Sequence, residues 1–270
     1  KIGTDASGLA PLANGSDGIR LIDAPLSVIG TEFPTDANVI AFNTGAGVAV
    51  NGINSVGVGI LGNSIFGNGG LGIDLNVDGV TFNDENDADS GPNALQNFPI
   101  LTSTFTNGGT HVVGSLSSTA NSDYRIEIFA NDTADPSGHG EGQTLLGFFD
   151  LTTGNDGIAE FDELVSGIAS DGQFITTTAS RFLSEVGAFE TSEFSPAISL
   201  GQPPADPAGP LVITSTTSNG NELRDALLGS GITPVGDATF IGGANSGGFF
   251  FGGTNSIGIT SGIILSTGNA

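Results

Sequence analysis

The sequence predicts an all-β protein: short parallel coils first, an antiparallel sandwich second, and a glycine-rich, mostly-β end with one short helix. Three observations carry that prediction. The 270 residues include 44 glycines and 18 phenylalanines, which suits many short strands joined by tight turns. A motif recurs 25 residues apart, from Asn38 to Asn63. Farther along, apolar and polar residues alternate with the period of a strand. The divisions expected are residues 1–76 for the coils, 77–101 for an acidic connector, 102–200 for the sandwich, 201–210 for a proline-rich linker and 211–270 for the last β domain.

The repeat aligns the segment from Asn38 to Val50 with that from Asn63 to Leu75. Asn38 matches Asn63, Asn43 matches Asn68, and Gly47-Val-Ala-Val50 matches Gly72-Ile-Asp-Leu75. Gly18-Ile-Arg-Leu21 is an earlier copy. One such unit cannot bury its apolar face alone, whereas stacked units can, each strand pairing with its equivalent in the next coil. Ile19 and Leu21, Val48 and Val50, and Ile73 and Leu75 then form an inward ladder. The repeated asparagines bond the turn backbone and one another. This pattern resembles the right-handed parallel β-helix of pectin-lyase-like proteins. Many proteins of that architecture act on polysaccharides, but the outward row here is Arg20, Ala49 and Asp74, a poor catalytic set and better read as a solvated face. Ile2 takes the place of Ile40 and Ile65, so the chain is expected to open in mid-coil, with further coils or another subunit covering that end.

The connector is the densest run of Asp and Asn. Asp74, Asn76, Asp78, Gly79 and Glu85 satisfy the spacing of a twelve-residue calcium loop, with oxygens at alternate positions, a glycine at the sixth and a carboxylate at the last. Asn83, Asp84, Asp87 and Asp89 add further oxygens. All eight, Asp74, Asn76, Asp78, Asn83, Asp84, Glu85, Asp87 and Asp89, are candidate Ca²⁺ ligands. The flanks Ile73 and Leu75 read as strand, so the loop resembles those of dockerins or thrombospondins more than a helix-flanked one. Magnesium fits less well because it accepts fewer protein ligands.

Strands are expected at residues 111–117, 124–130, 144–151, 158–164, 173–179 and 193–198. Their spacing argues a sandwich of immunoglobulin-like form without a cysteine pair. Ile126-Glu-Ile-Phe129, Gly140-Glu-Gly-Gln143 and Ser192-Glu-Phe-Ser195 resemble a sandwich module that follows such β-helices. His111 and His139 are the two histidines, the first read as a strand residue and the second as part of a polar surface loop rather than a metal site. After the prolines of residues 202–210, Asn219 to Gly229 reads as the short helix, capped by asparagine and stopped by glycine. Ser261-Gly-Ile-Ile-Leu-Ser-Thr-Gly268 and the apolar runs before it resemble the start of a choice-of-anchor L domain of bacterial surface and secreted proteins.

Five Lys and Arg against 29 Asp and Glu give a net charge of −24, which repels nucleic acid and anionic lipid. The absence of Cys removes disulfides and thiol chemistry. No apolar run approaches the ~20 residues of a membrane span. Residue 1 is Lys and no leader pattern opens the chain, so a processed product or a piece of a longer chain is expected. No catalytic constellation stands out, and the chain is read as a non-enzyme. The expectation is an extracellular, cell-surface structural or adhesive protein of bacteria, rigidified by Ca²⁺. Its expected partners are further copies of itself, as in a filament or surface layer, or a neighbouring surface protein. The alternative is a carbohydrate-binding or carbohydrate-active protein with a glycan partner.

Overall fold

A computed structural model describes residues 1–201 and two short pieces, Thr239–Phe240 and Phe251–Gly252. The chain divides into two compact units, Lys1–Pro203 and Pro204–Ala270. The protein is all-β, with parallel ladders followed by antiparallel sheets.

The parallel part comprises β1 (Ile19–Ile22), β2 (Val28–Ile29), β3 (Val39–Ala41), β4 (Val48–Asn51), β5 (Gly59–Ile60), β6 (Ser64–Phe66) and β7 (Ile73–Leu75). They pair as β1-β4-β7, β2-β5 and β3-β6, all parallel. The register sets Ile19 beside Val48 beside Ile73, and Leu21 beside Val50 beside Leu75, as the repeat predicts. Val48, Val50, Ile73 and Leu75 join Ile40, Ile60 and Ile65 in one buried cluster. Glycine opens the repeated strand because successive repeats meet there: a Cβ on Gly47 would lie 2.6 Å from the Gly72 carbonyl and 2.5 Å from the Ile65 side chain. The outward row is in register too, Arg20 beside Ala49 beside Asp74. It is not a solvated face throughout, since Ala49 is fully buried.

The asparagines form two ladders. Asn14 Nδ2 donates to Asn43 Oδ1 at 2.9 Å, and Asn43 Nδ2 donates to Asn68 Oδ1 at 2.9 Å. Asn38 Nδ2 donates to Asn63 Oδ1 at 3.0 Å. In each step the backbone N–H of the donor asparagine reaches the same oxygen. Within these asparagine pairs the earlier residue donates to the later one.

The antiparallel part comprises β8 (Ile100–Thr106), β9 (Thr110–Ser117), β10 (Asp123–Asn131), β11 (Thr144–Thr152), β12 (Ile158–Val165), β13 (Phe174–Leu183), β14 (Ala188–Thr191) and β15 (Ile198–Ser199). One sheet is β12-β9-β8; the other is β11-β10-β13-β14 with β15 also on β13. Val112, Leu116 and Phe161 of the first sheet meet Tyr124, Ile126, Ile128, Ile175 and Ala179 of the second in one core.

Two elements depart from the expectation. Ile100–Thr106 is a strand that the reading assigned partly to the connector. The expected strand at 193–198 is mostly not one: β14 ends at Thr191 and β15 begins at Ile198. Serines explain the substitution. Ser192 Oγ accepts from the Ala179 N–H and Ser195 Oγ from the Thr177 N–H, both at 3.0 Å. These side-chain oxygens take positions on β13 that a strand would fill with carbonyls.

The expected helix at 219–229, the linker residues beyond Gly201 and the Ser261–Gly268 motif lie outside the described residues. The two short pieces there, β16 (Thr239–Phe240) and β17 (Phe251–Gly252), pair antiparallel.

Candidate metal centre and the seam around it

The connector is held by asparagine side chains acting as short lengths of backbone. Asn83 Nδ2 donates to the Phe98 carbonyl at 2.8 Å, and the Phe98 N–H donates back to Asn83 Oδ1 at 3.0 Å. Asn97 makes the same two-way bracket with Asp84, at 2.8 and 3.1 Å. Between these brackets the chain turns through left-handed backbone at Asn86 and Asp87, with φ of 61° and 55°. Asp and Asn tolerate that region better than other side chains.

The turn brings Asp84, Asp87 and Asp89 together, one carboxylate oxygen of each lying within 4.8 Å of the others. Asp87 is buried, accepting from the Asn97 N–H at 2.9 Å and from Ser118 Oγ at 2.8 Å. Asp84 accepts from the Ala88 N–H. Asp89 differs: its Oδ1 is buried and has no hydrogen-bond partner. Burial, then the charges of Asp84 and Asp87, push its carboxyl up to about 6. Burial also raises Asp87, with the Ser118 and Asn97 hydrogen bonds opposing it. No Lys or Arg among the described residues forms an ion pair with these three. Convergent hard oxygens with uncompensated negative charge are the donor set of a hard divalent cation.

The other predicted ligands are elsewhere. Asp74, half-buried on β7, accepts from the Gly79 N–H, and Asn76 Nδ2 donates to Asp78 Oδ2 at 2.9 Å, so these residues form a turn of their own. Asn83 is committed to Phe98, and Glu85 is exposed. Among the described residues, no group of three carboxylates or imidazoles includes Asp74, Asp78 or Glu85. Three of the eight candidates, Asp84, Asp87 and Asp89, thus form the carboxylate group. The Asp135–Glu141 loop also does not gather: Asp132 is held by Gln143 and Gln173, and Glu141 faces the coils. His139 packs between Phe82 and Phe98.

The residues that the sequence reading missed line the end of the coil stack. Beyond Asn68 no further asparagine among the described residues continues the ladder, and carboxylates of the sandwich accept from backbone N–H groups of the last repeat. Glu141 accepts from the Asn68 N–H at 2.9 Å and from Asn68 Nδ2 at 3.3 Å, taking the role that Asn68 plays for Asn43. Glu127 accepts from Gly62, Glu190 from Gly57, and Glu193 from Leu75 and Thr81. Asn93, fully buried with a left-handed φ of 50°, accepts from the Val58 N–H and donates to the carbonyls of Val58 and Thr191. The sheet containing β10 is consequently buried on both faces: Ile126 and Ile128 point into the sandwich core, while Glu127 and Phe129 point to the coils.

Burial raises Glu141, lifts Glu127 to about 7 and lifts Glu193 to about 8, each against the pull of the backbone N–H groups it accepts. One signal pointed here. The three segments that resembled a known sandwich module each carry one of these glutamates: Glu127, Glu141 and Glu193. No family model matches the chain, and a search of curated proteins finds no match either.

Proposed function

We propose that this is an extracellular structural or adhesive protein of a bacterial surface, stiff by construction. In this reading residues 1–76 are coils of a right-handed parallel β-helix, residues 102–200 an immunoglobulin-like module, and 211–270 the start of a choice-of-anchor L domain. A Ca²⁺ ion held by Asp84, Asp87 and Asp89 fixes the connector between the first two.

The observation that carries the calcium part is the convergence of the Asp84, Asp87 and Asp89 carboxylates, with Asp89 Oδ1 buried and partnerless. An unpaired buried carboxylate oxygen costs free energy that a cation removes. Ca²⁺ fits better than Mg²⁺ because three carboxylates completed by water and carbonyls suit its loose shell of 6–8 oxygens. The stiffness rests on the seam, where the coil stack and the sandwich share buried hydrogen bonds rather than a bare linker. The negative charge then serves solubility and long-range repulsion of anionic surfaces. Self-association and a neighbouring surface protein are the partners this reading proposes; a glycan belongs to the alternative.

Calorimetric titration with Ca²⁺ and with Mg²⁺ tests the centre. The expected result is calcium binding with a rise in melting temperature, both lost in Asp87→Asn and in Asp89→Asn. The same melting temperature in Ca²⁺ and in EGTA overturns the calcium assignment. Sedimentation with and without Ca²⁺ tests self-association, and monomers at every calcium level and protein concentration overturn it.

A further inference from the structure

The seam puts carboxyl groups where proteins seldom put charge. Glu127 is 1% exposed and accepts one backbone N–H, from Gly62, shared between its two oxygens at 3.0 and 3.1 Å. Glu141 spans the N–H groups of Gly67 and Asn68. Among the described residues neither has a cation in ion-pair contact. Arg125, two residues from Glu127 on β10, is committed to Glu32 and Asp150. The neighbours across the strand pairs are uncharged, Phe148 on β11 and Thr178 on β13. The charge acting on Glu141 is another carboxylate, Asp135. Of the seam glutamates, Glu190 is the one that pairs with an arginine, Arg181.

We propose that the fastening between the coil stack and the sandwich is proton-gated: Glu127, seconded by Glu141, holds the last coil more tightly as a neutral acid than as a carboxylate. One or two N–H groups, with the charge of Arg125 reaching Glu127 only from a side chain already paired to Glu32 and Asp150, are too little to hold a buried negative charge; a neutral carboxyl keeps the same N–H contacts without the burial cost. The direction of the pH effect follows. Burial lifts Glu127 from 4.5 to about 7 in the closed seam. Its contribution is complete below the ordinary value and is lost as pH rises through the lifted one. A separation of that size changes the closed-to-open ratio by about 300-fold across the window. Acid surroundings tighten the seam; alkaline surroundings loosen it.

The test is done in EGTA, so that it stands or falls apart from the calcium site. Carboxyl ¹³C resonances of Glu127 and Glu141 are followed from pH 4 to 9, and amide exchange of the 62–68 segment is compared at pH 6 and 8 after correction for the intrinsic rate. The expected result is Glu127 titrating near neutrality, with Glu141 also above the ordinary glutamate range, and a faster corrected exchange at the higher pH. Denaturant midpoints fall between pH 5 and 8 in the wild type, and less steeply in Glu127→Gln. Titration of Glu127 in the ordinary range overturns the proposal. So does a Glu127→Gln protein with the wild-type slope. The wild-type titration decides alone if that variant does not fold.

Discussion

The first and the last of the parallel repeats are built from the same pattern and have different surroundings. At the last coil, Gly62, Asn68 and Leu75 each end on a carboxylate from the sandwich. At the first coil, β1 and β2 are each paired along one edge, and Leu9, Leu12, Ile22 and Val28 are 60–82% exposed. The difference lies in what the backbone N–H groups of each repeat meet. Gly62, Asn68 and Leu75 present backbone N–H groups that call for acceptors, and the sandwich supplies carboxylates to them. Carboxylates suit the donor end for the reason they suit the N-terminus of a helix. A strongly acidic chain is therefore not acidic only at its surface: four glutamates close its interior seam.

Substitutions along the ladder and seam measure that asymmetry. The largest effect is expected at Asn93→Ala, which strands the Val58 N–H and two carbonyls in a fully buried place. Loss of about 3 kcal/mol in denaturant stability is expected; a cost no greater than that of an exposed asparagine breaks the account of the seam. Next comes Asn43→Ala, in the middle of the ladder and 2% exposed. It should cost about 2 kcal/mol by the same measurement. Asn14→Ala removes the same residue type from the exposed end of the same ladder. A loss within about 0.5 kcal/mol is expected there. Equal losses at Asn43 and Asn14 would mean that depth in the stack, and hence the capped end, does not matter.

The parallel pairing was legible because a ladder must repeat its chemistry to repeat its geometry. Val48 over Ile73 and Asn43 over Asn68 stand in the sequence at the offset at which they stack. Strand positions in the sandwich were legible for a similar reason, the alternation of Tyr124, Ile126 and Ile128. That same alternation hid the seam. Glu127 occupies the alternate position that belongs to solvent in a one-sided sheet, and nothing local says that a second layer covers it. The carboxylates of the connector were legible as a group but not in their combination. The left-handed turn at Asn86 and Asp87 and the brackets from Asn83 and Asn97 bring Asp84, Asp87 and Asp89 together, a combination that the regular spacing beginning at Asp74 does not single out. Ser192 and Ser195, which displace an expected strand, belong to the same lesson: side chains here do the work of backbone.

The groups that close the last coil arrive late in the chain. Gly62 waits 65 residues for Glu127, Leu75 waits 118 for Glu193, and Gly57 waits 133 for Glu190. During synthesis from the N-terminus the coils emerge long before their floor exists, with apolar rungs and open strand edges uncovered. Such distant contacts also make folding slow. A nascent chain halted before Glu193 should thus be far more prone to protease and to clumping than one halted just beyond it.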